Sequence, residues 1–284
     1  MLSGFTIVRN AVRLDYPVVP AIRSLLEVCD EVVVNVGQSD DGTRELVAGI
    51  EDPRVRVLDT VWDPSRWGRT LAVETDRALA ACHGPWTLYI QADEVLHETG
   101  AALVVDRLNA WGGETRLEGL LVDYLHFYGD VDTVVTNRHW YRREVRVLRL
   151  GRDLRSFGDA QGFRVGDANR RVRARATGAQ MFHYGWARRA SALAGKRAAF
   201  REFFTEHGGA PTNEVPHLDW TPGLKPFRGP HPRAAREWVA ERRGRGPGIG
   251  PRELRARDVR YYVSDWIERM TGVRVFEYRN YLSG

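Results

Sequence analysis

The sequence has 284 residues, 43% of them hydrophobic, and a formal net charge of +5 at pH 7. This length and apolar content allow a substantial buried core, which excludes a disordered chain. The charge is small for the length and no nucleic-acid-binding motif accompanies it, so we expect no nucleic-acid partner.

The first 125 residues alternate between the patterns of strands and helices. Apolar runs predict four strands, at 4–10, 31–37, 54–60 and 86–95. Helical spacing predicts three helices between them, at 17–28, 44–50 and 70–81. Strands separated by short helices are typical of βαβ units with right-handed crossovers. We therefore expect an α/β fold with a Rossmann-like, doubly wound and mostly parallel sheet.

The pattern changes after about residue 115. Apolar runs predict three further strands, at 117–129, 141–150 and 181–186. Helical spacing predicts three further helices, at 190–207, 233–243 and 252–271. The last two follow a stretch that is rich in Pro and Gly. We therefore expect a main domain, residues 1–225, and a helical C-terminal extension, residues 226–284, that packs on or beside it.

The last predicted helix carries apolar residues along one side: Val259, Tyr262, Val263, Trp266, Ile267 and Met270. Such a stripe is typical of a helix that packs on its own domain. The stretch 228–260 contains ten Arg and four acidic residues. With Trp238, Tyr262 and Trp266 nearby, this basic stretch could lie against an anionic membrane or bind a lipid-linked acceptor.

The N-terminus and the cysteines indicate where the protein works. No window of about 18 uninterrupted apolar residues is present, so no transmembrane helix is predicted. The first residues lack a basic start followed by a long apolar run, so we expect no signal peptide. Cys29 and Cys82 lie far apart, without the spacing of a zinc site or disulfide framework. These features predict a cytoplasmic protein.

Two adjacent acidic residues, Asp93 and Glu94, end the fourth predicted strand. In an open α/β sheet, ligands bind beyond the carboxyl ends of the strands. Mg²⁺ and Mn²⁺ take oxygen ligands, and proteins often supply only one or two of them beside substrate phosphates. The motif therefore predicts a divalent-metal site, with a solvated loop or a helix start as the alternative.

Polar residues follow the second and third predicted strands at the same edge. QSDDGT comes directly after the second strand, and WGR precedes a helix. Ser39 and Asp41 could hydrogen-bond the base or ribose of a ligand, although a capped helix start explains the same residues. Gly68 permits close approach of a ligand and Arg69 could bind a phosphate, although a plain turn explains both.

The order of these pieces resembles the family 2 glycosyltransferases of the GT-A fold. In that family Ser-x-Asp-x-Thr follows the second strand, as Ser39, Asp41 and Thr43 do here. A Gly-x-x-x-Ala helix follows the third strand, matched by Gly68 and Ala72, and an acidic motif ends the fourth, matched by QADE. This likeness covers about the first 125 residues. Beyond them, YLHFYGD, MFHYGW and EYRNY resemble a bacterial subgroup that decorates cell-surface polysaccharide or lipopolysaccharide.

The resemblance implies transfer of a sugar from a nucleotide-diphosphate sugar to a cell-surface glycan or lipid-linked acceptor, with inversion at the anomeric carbon. It implies a divalent cofactor, Mn²⁺ or Mg²⁺, held by Asp93 and by His183 in FHYGW. We expect Arg9, Asn10 and Gln91 to join Ser39, Asp41, Gly68 and Arg69 in binding the donor. The enzyme would then work in the cytoplasm or on the inner face of the membrane.

Departures from the family pattern bear on the donor. The family's acidic pair after the second strand falls here at Val36 and Gly37, so no base identity follows. Gln91 stands where the first Asp of the acidic motif is expected, and an amide adds no charge to a metal. His183 lies among aromatic residues, where a core histidine is the alternative. These departures keep open a non-catalytic sugar-nucleotide-binding protein of the same fold.

Inverting transfer needs a general base beside the acceptor hydroxyl. The sequence offers four candidates: Asp159, Glu94, Asp123 and His126. With residues 1–115 as the donor half and 116–225 as the acceptor half, we expect Asp159 to be the base and Glu94 the second catalytic candidate. A loop-capping role is the alternative for Asp159. Nucleotidyl transfer is disfavoured because no Gly-rich phosphate loop with a Lys follows the first strand.

Overall fold

A computed structural model describes residues 1–66, 68–193 and 218–284. The helices are α1 (Val18–Leu26), α2 (Thr43–Ala48), α3 (Thr70–Ala80), α4 (Glu98–Trp111), α5 (Arg236–Arg242) and α6 (Val259–Thr271). The strands are β1 (Leu2–Val8), β2 (Glu31–Gly37), β3 (Val55–Thr60), β4 (Trp86–Tyr89), β5 (Glu94–Leu96), β6 (Gly119–Tyr128), β7 (Asp130–Val135), β8 (Arg143–Arg149), β9 (Leu154–Phe157), β10 (Gly162–Val165), β11 (Arg170–Trp186), β12 (Leu224–Pro226) and β13 (Tyr281–Ser283).

The strands form one sheet with the central order β3-β2-β1-β4-β8-β6-β11-β10-β9. The first four strands in this order, β3 to β4, are parallel, which confirms the Rossmann-like α/β fold. Beyond β4 most pairs are antiparallel, including β4 with β8 and β6 with β8. Short turns also join β6 to β7, β9 to β10 and β10 to β11, and each of these consecutive pairs is antiparallel.

Helices cover both faces of the parallel half, as a doubly wound sheet requires. Alternate residues of β2, such as Val32 and Val33, belong to separate apolar clusters on the two faces. Helices α1 and α4 pack into the first cluster, and α3 packs into the second. In α1 the buried apolar residues recur at helical spacing, which explains why this segment is a helix.

The predicted strand at 86–95 is two strands in the structure. β4 ends at Tyr89, and the chain then turns, with the N–H of Glu94 donating to the carbonyl of Gln91 at 2.9 Å. β5 continues in a new direction and pairs antiparallel with β11. The turn places Asp93 between the parallel half of the sheet and β11.

The C-terminal residues return to the main sheet. β12 pairs with β7 and β13 pairs with β11, so strands from both sides of residue 225 share one sheet. The predicted division at residue 225 stays a prediction. Of the predicted helix at 190–207, only 190–193 are among the described residues, and they are helical. No helix of the described residues is long and apolar enough to cross a membrane.

Helix α6 faces the opposite way from the packing predicted for it. Its apolar stripe points to solvent, with Val259, Trp266 and Met270 exposed at 61%, 65% and 70%. The polar side faces the sheet, because Glu268 forms an ion pair with Arg142 at 2.7 Å. The prediction that this stripe packs on its own domain is therefore wrong. The helix is also shorter than predicted, since 252–255 are not helical.

Candidate active site

The loops that follow β1 and β2 are fastened together by the side chains of Ser39 and Asp41. Ser39 Oγ accepts a hydrogen bond from the N–H of Asn10 at 3.0 Å, and Asp41 Oδ2 accepts one from the N–H of Arg13 at 2.7 Å. Asp41 Oδ1 accepts another from the N–H of Thr43 at 3.1 Å. The structure thus brings Asn10, Ser39 and Asp41 together at the predicted edge. Both carboxylate oxygens of Asp41 serve the loops themselves.

Asn10 and Arg9 line the end of β1. Asn10 has a φ of 55°, in the left-handed region that Asn tolerates better than most residues. Its amide oxygen is buried and accepts no hydrogen bond from the described part of the chain. Arg9 Nε donates to the carbonyl of Gln38 at 3.2 Å. A buried acceptor without a donor, at the mouth of the sheet, suits a hydroxyl of a ligand.

Gly68 and Arg69 lead into α3. Gly68 has a φ of 65°, so the turn before the helix requires a residue without a side chain. Arg69 occupies the position before the first helical residue, and its side chain is exposed. Within the described residues, no hydrogen bond or ion pair links its guanidinium group to Arg9, Asn10, Ser39 or Asp41, the other residues predicted to bind the sugar nucleotide. The phosphate role of Arg69 stays a prediction.

An aromatic ring occupies the place of the family's acidic pair. A Cβ added to Gly37 would lie 2.6 Å from the ring of Trp62. Trp62 Nε1 donates to Thr60 Oγ1 at 3.2 Å, and Thr60 Oγ1 donates to Asn35 Oδ1 at 2.5 Å. Val36 is buried in the core. Trp62 therefore leaves no space for a side chain at residue 37.

β5 and β11 bring Asp93 and His183 together from distant parts of the sequence. The N–H of Tyr184 donates to the backbone carbonyl of Asp93 at 2.8 Å, next to the pairing of His183 with Glu94. His183 Nε2 then lies 3.7 Å from Asp93 Oδ2, and each side chain is 10% exposed. The structure places these two predicted metal ligands side by side.

Gly185 leaves space beside these two atoms. A Cβ at residue 185 would lie 2.6 Å from His183 Nε2 and 2.8 Å from Asp93 Oδ2. Such separations are shorter than real Cβ contacts, so any other residue would displace one of the two side chains. The site therefore depends on a glycine at this position of β11.

His126 decides which nitrogen of His183 carries a proton. His126 Nε2 lies 2.7 Å from the carbonyl oxygen of Tyr141, which only accepts, so this nitrogen carries hydrogen. Burial and the neighbouring His183 lower the pKa of His126 well below its usual range, so its ring is neutral and its Nδ1 accepts. His183 Nδ1, 2.9 Å away, must then donate to it. The lone pair of a neutral His183 is left on Nε2, the atom near Asp93.

This donor set fits a divalent cation. One carboxylate oxygen and one imidazole nitrogen with an oriented lone pair border the same small space beside Gly185. Mn²⁺ and Mg²⁺ commonly take one or two protein ligands and complete their coordination with water and substrate phosphates. Over residues 1–66, 68–193 and 218–284, no group of three or more His, Cys, Asp and Glu could hold a metal. Further ligands would therefore come from solvent or substrate.

Glu94 is an internal counter-ion. Its side chain and that of Arg146 are fully buried, with Arg146 Nη2 donating to Glu94 Oε1 at 2.8 Å and Nε donating to Oε2 at 3.1 Å. The hydroxyl of Tyr124 and the N–H of Gln91 also donate to this carboxylate, at 2.8 and 3.1 Å. A general base must reach the acceptor hydroxyl. We therefore correct the expectation for Glu94: it is a structural partner of Arg146, not a catalytic residue.

Gln91 holds the loop between β9 and β10 against the site. Its Nε2 donates to the carbonyl of Ala160 at 3.2 Å, and Arg146 Nη1 donates to the carbonyl of Gln161 at 2.6 Å. Asp159 is exposed in the same loop, where its Oδ1 accepts from the N–H of Gln161 at 3.3 Å. The loop-capping contact of Asp159 is thus present, on a loop that is fastened to the candidate site.

The Arg-rich strand β8 supplies partners for the protein's own acidic residues. Arg142 pairs with Glu268 and Arg143 pairs with Asp123, the latter at 2.5 Å, in addition to the buried pair of Arg146. Asp123 is thus paired with Arg143, and His126 is joined to His183. The choice of a general base among the remaining candidates stays a prediction.

Sequence reasoning missed the roles of His126, Gly185 and Arg188. Arg188 is fully buried, donates to the carbonyl of Gly185 at 3.2 and 3.1 Å, and lies 4.4 Å from the ring centroid of Tyr16. A glycine inside a strand of aromatic residues often marks a place where another group approaches the backbone closely, and Gly185 in FHYGW is such a glycine. The pairing of His126 with His183 depends on the register of β6 and β11, which no local pattern indicates.

No family model matches the chain, and no curated protein matches it. Among solved structures, S. aureus TarS is 16% identical, covers 46% of this chain and 22% of its own, and has a TM-score of 0.33. TarS 1–349 in complex with UDP is 17% identical, with a TM-score of 0.34. The match covers 46% of this chain and 36% of the TarS chain. TarS 1–349 in complex with UDP-GlcNAc is 18% identical, with a TM-score of 0.32. The match covers 46% of this chain and 35% of the TarS chain. The chain thus spans about a third or less of the length of these matches. Because the TM-scores are low, we infer nothing about function from this likeness.

Proposed function

We propose that the chain is an inverting, metal-dependent glycosyltransferase that moves a sugar from a nucleotide-diphosphate sugar to a cell-surface glycan or lipid-linked acceptor. One observation carries the proposal. Asp93 Oδ2 and His183 Nε2 lie 3.7 Å apart beside Gly185, beyond the carboxyl ends of the parallel strands. Ligands of open α/β sheets bind at this edge, and the donor set suits a cation that accompanies a diphosphate.

Asp93 and His183 would hold Mn²⁺ or Mg²⁺. When bound, such an ion neutralises the charge that develops on a leaving diphosphate. The chain's own residues prepare the ligands. His126 keeps the lone pair of His183 on Nε2, and Arg188 holds the backbone at Gly185 through two hydrogen bonds.

The donor would bind along the loops after β1 and β2. The amide oxygen of Asn10, which accepts no hydrogen bond from the described residues, suits a ribose or sugar hydroxyl, and Ser39 Oγ accepts from the N–H of Asn10. Arg9 and Arg69 bring positive charge to the edge where a diphosphate would lie. Asp41, Gly68 and Gln91 act here by shaping the loops rather than by charge.

Asp159 is our proposed general base. It is exposed, and its loop is held through hydrogen bonds from Gln91 and Arg146 to the carbonyls of Ala160 and Gln161. In an inverting reaction its carboxylate would take the proton from the acceptor hydroxyl as the new bond to the sugar forms. A role confined to capping the loop predicts instead that Asp159→Asn keeps full activity.

The membrane contact proposed for this enzyme uses the exposed side of α6. Trp266 and Met270 are more than half exposed, and Tyr262 and Val263 continue the same side of the helix. Aromatic and apolar side chains on one side of a helix, with arginines nearby, suit the interface of an anionic bilayer. An enzyme acting on a lipid-linked acceptor at the inner face of the membrane would need such a contact.

A second candidate function is binding of a sugar nucleotide without turnover. The observations that favour it are the Trp62 ring in place of an acidic pair and the amide of Gln91, which is committed to Ala160. Both remove charge from the donor site. Binding without transfer, by a protein with Asp93 intact, would identify this function.

Calorimetry on the full chain tests the proposal. UDP, GDP, dTDP and their glucose conjugates are titrated with and without Mn²⁺ into the wild type, Asp93→Asn and Asp106→Asn. We expect one nucleotide to bind with Mn²⁺, Asp93→Asn to abolish this binding, and Asp106→Asn on α4 to leave it unchanged, because Asp106 is exposed on a helix away from the site. If no nucleotide binds under any condition, the proposed donor site does not exist.

A further inference from the structure

A cavity of about 340 Å³ lies between α6 and the strands β6 and β7. It adjoins the candidate active site, because the ring of His126 forms part of its wall and the same ring holds His183. No predicted donor or metal residue lines it. Its volume matches that of pockets for small ligands, which start near 300 Å³.

Four cationic side chains and two acidic ones line the cavity: Arg142, Lys225, Arg269, Arg274, Asp265 and Glu268. Glu268 is shared, at 2.7 Å from Arg142 and 3.5 Å from Arg274. Lys225 and Arg269 are exposed at the mouth and form no ion pair with any other described residue. The cavity therefore carries an excess of positive charge.

Arg274 is the cationic group in the buried wall. Its side chain is 2% exposed, and it donates from Nη2 to the carbonyl of Thr136. Its Nε is buried and lies 3.5 Å from Glu268 Oε2, an ion-pair contact too long for a full hydrogen bond. Arg274 therefore has its counter-ion within the wall, and the cations left for a ligand are Lys225 and Arg269 at the mouth.

The remaining wall is aromatic. Tyr124, Tyr141 and Trp140 line the cavity, with the rings of Tyr124 and Tyr141 in edge contact at a centroid distance of 4.9 Å. Flat aromatic faces with a few polar groups at one end suit a ring-shaped ligand that has both apolar and hydrogen-bonding edges. The lining thus combines a place for a ring with a place for an anion.

We propose that this cavity binds a sugar that carries a phosphate or a carboxylate, with its ring on the aromatic wall and its anionic group beside Lys225 and Arg269. The further step, that this sugar is part of the acceptor, rests on the proposed function. Both anionic groups present the oxygen atoms that guanidinium and ammonium donors recognise.

Calorimetry without nucleotide or metal tests the cavity on the full chain. Glucose 1-phosphate and glucuronate represent the two anionic sources, glucose the neutral ring, and inorganic phosphate the anion alone. We expect the anionic sugars to bind at least about tenfold more tightly than glucose or phosphate. The better of the two anionic sugars identifies the source of the charge. Equal binding of glucose and the anionic sugars, or no binding of either anionic sugar, would overturn the proposal.

Charge variants at the mouth provide the matched comparison. Lys225→Gln with Arg269→Gln should weaken binding about tenfold or more, whereas Arg228→Gln with Arg236→Gln, two exposed arginines that do not line the cavity, should not change it. Equal affinities of the two double variants would show that the sugar binds elsewhere. Neither double variant removes a buried side chain, so both should fold.

The two sets of calorimetric titrations separate this proposal from the proposed function. If the anionic sugar binds but no nucleotide does, the proposed function fails while the cavity site stands. If a nucleotide binds with Mn²⁺ but no anionic sugar does, the cavity proposal fails alone.

Discussion

His126 and His183 are joined through their Nδ1 atoms, 2.9 Å apart, across the parallel pair of β6 and β11. The proton between them belongs to His183, because the other nitrogen of His126 donates to the carbonyl of Tyr141. One buried histidine thereby orients the second, and the second presents its free nitrogen beside Asp93.

Replacing His126 should weaken metal binding without touching a ligand. In His126→Phe an aromatic ring is kept, but Nδ1 of His183 loses its acceptor, so the tautomer and the ring orientation are no longer fixed. Outer hydrogen bonds of this kind contribute about 10- to 100-fold to metal affinity. We expect a loss of that size in Mn²⁺ affinity, measured by electron paramagnetic resonance in the presence of the nucleotide that binds. His139→Phe, an exposed histidine, is the control, and an unchanged Mn²⁺ affinity in His126→Phe would refute the positioning role.

A single methyl group at residue 185 should close the site. The Cβ of Gly185→Ala would lie within 3 Å of His183 Nε2 and Asp93 Oδ2, so one of these side chains must move. We expect Mn²⁺-dependent nucleotide binding to fall at least about tenfold in calorimetry. Gly113→Ala is the matched control, because a Cβ at Gly113 meets no atom within 4 Å. Equal nucleotide affinities of the two alanine variants would contradict the site.

Removing Arg146 should destabilise the fold strongly. In Arg146→Met the carboxylate of Glu94 stays buried without its counter-ion, a change that costs about 3–5 kcal/mol of unfolding free energy. Adding Glu94→Gln removes the isolated charge and should recover part of the loss. Urea unfolding measures both. Arg155→Met, in an exposed ion pair with Asp153, should change stability little, and a similar small effect at Arg146 would disprove the buried pair.

Glu144 should make the protein less stable as the pH rises. Burial, opposed by Arg146, raises the pKa of Glu144 from 4.5 to about 7, so the folded state keeps a proton that the unfolded state loses. Unfolding free energy therefore decreases between pH 4.5 and pH 7, by up to about 3 kcal/mol for this group. Glu144→Gln should remove this dependence and be more stable than the wild type at pH 8, measured by urea unfolding at pH 5 and pH 8. If the unfolding free energies of the wild type and Glu144→Gln change equally with pH, Glu144 is not protonated in the folded state.

Exposed residues of α6 should control membrane binding. We expect the wild type to co-sediment with vesicles of phosphatidylcholine and phosphatidylglycerol, and less with phosphatidylcholine alone, because arginines flank the helix. Trp266→Ser with Met270→Ser removes apolar area and should reduce binding at least about tenfold. Val61→Ser, an exposed apolar residue elsewhere, is the control. If the wild type and the double variant co-sediment equally with the vesicles, α6 does not contact the bilayer.

Local patterns predict the parallel half of the structure well. The apolar runs of β1 to β3 and the helical spacing of α1 to α3 reflect burial on both faces of the sheet, and the observed elements differ by only a few residues from the predicted ones. The position of Asp93 at the mouth follows from the same patterns, since parallel strands end at one edge.

The sequence does not predict which side chains pair across long distances along the chain. The environment of Glu94 depends on Arg146 reaching across from β8, and the polar side of α6 pairs with Arg142 through Glu268. Neither partner is near in sequence. The predicted packing of the stripe rested on hydrophobicity alone, and the structure instead leaves Val259, Trp266 and Met270 exposed.

The place of His126 has a practical consequence for spectroscopy. Its Nδ1 touches the ring that we assign to the metal, while the ring itself forms part of the wall of the cavity beside α6. Ring nitrogens labelled with ¹⁵N at this one residue would therefore sense occupation of both sites in the same spectrum. A chemical-shift titration of a single histidine could give the order in which two ligands bind.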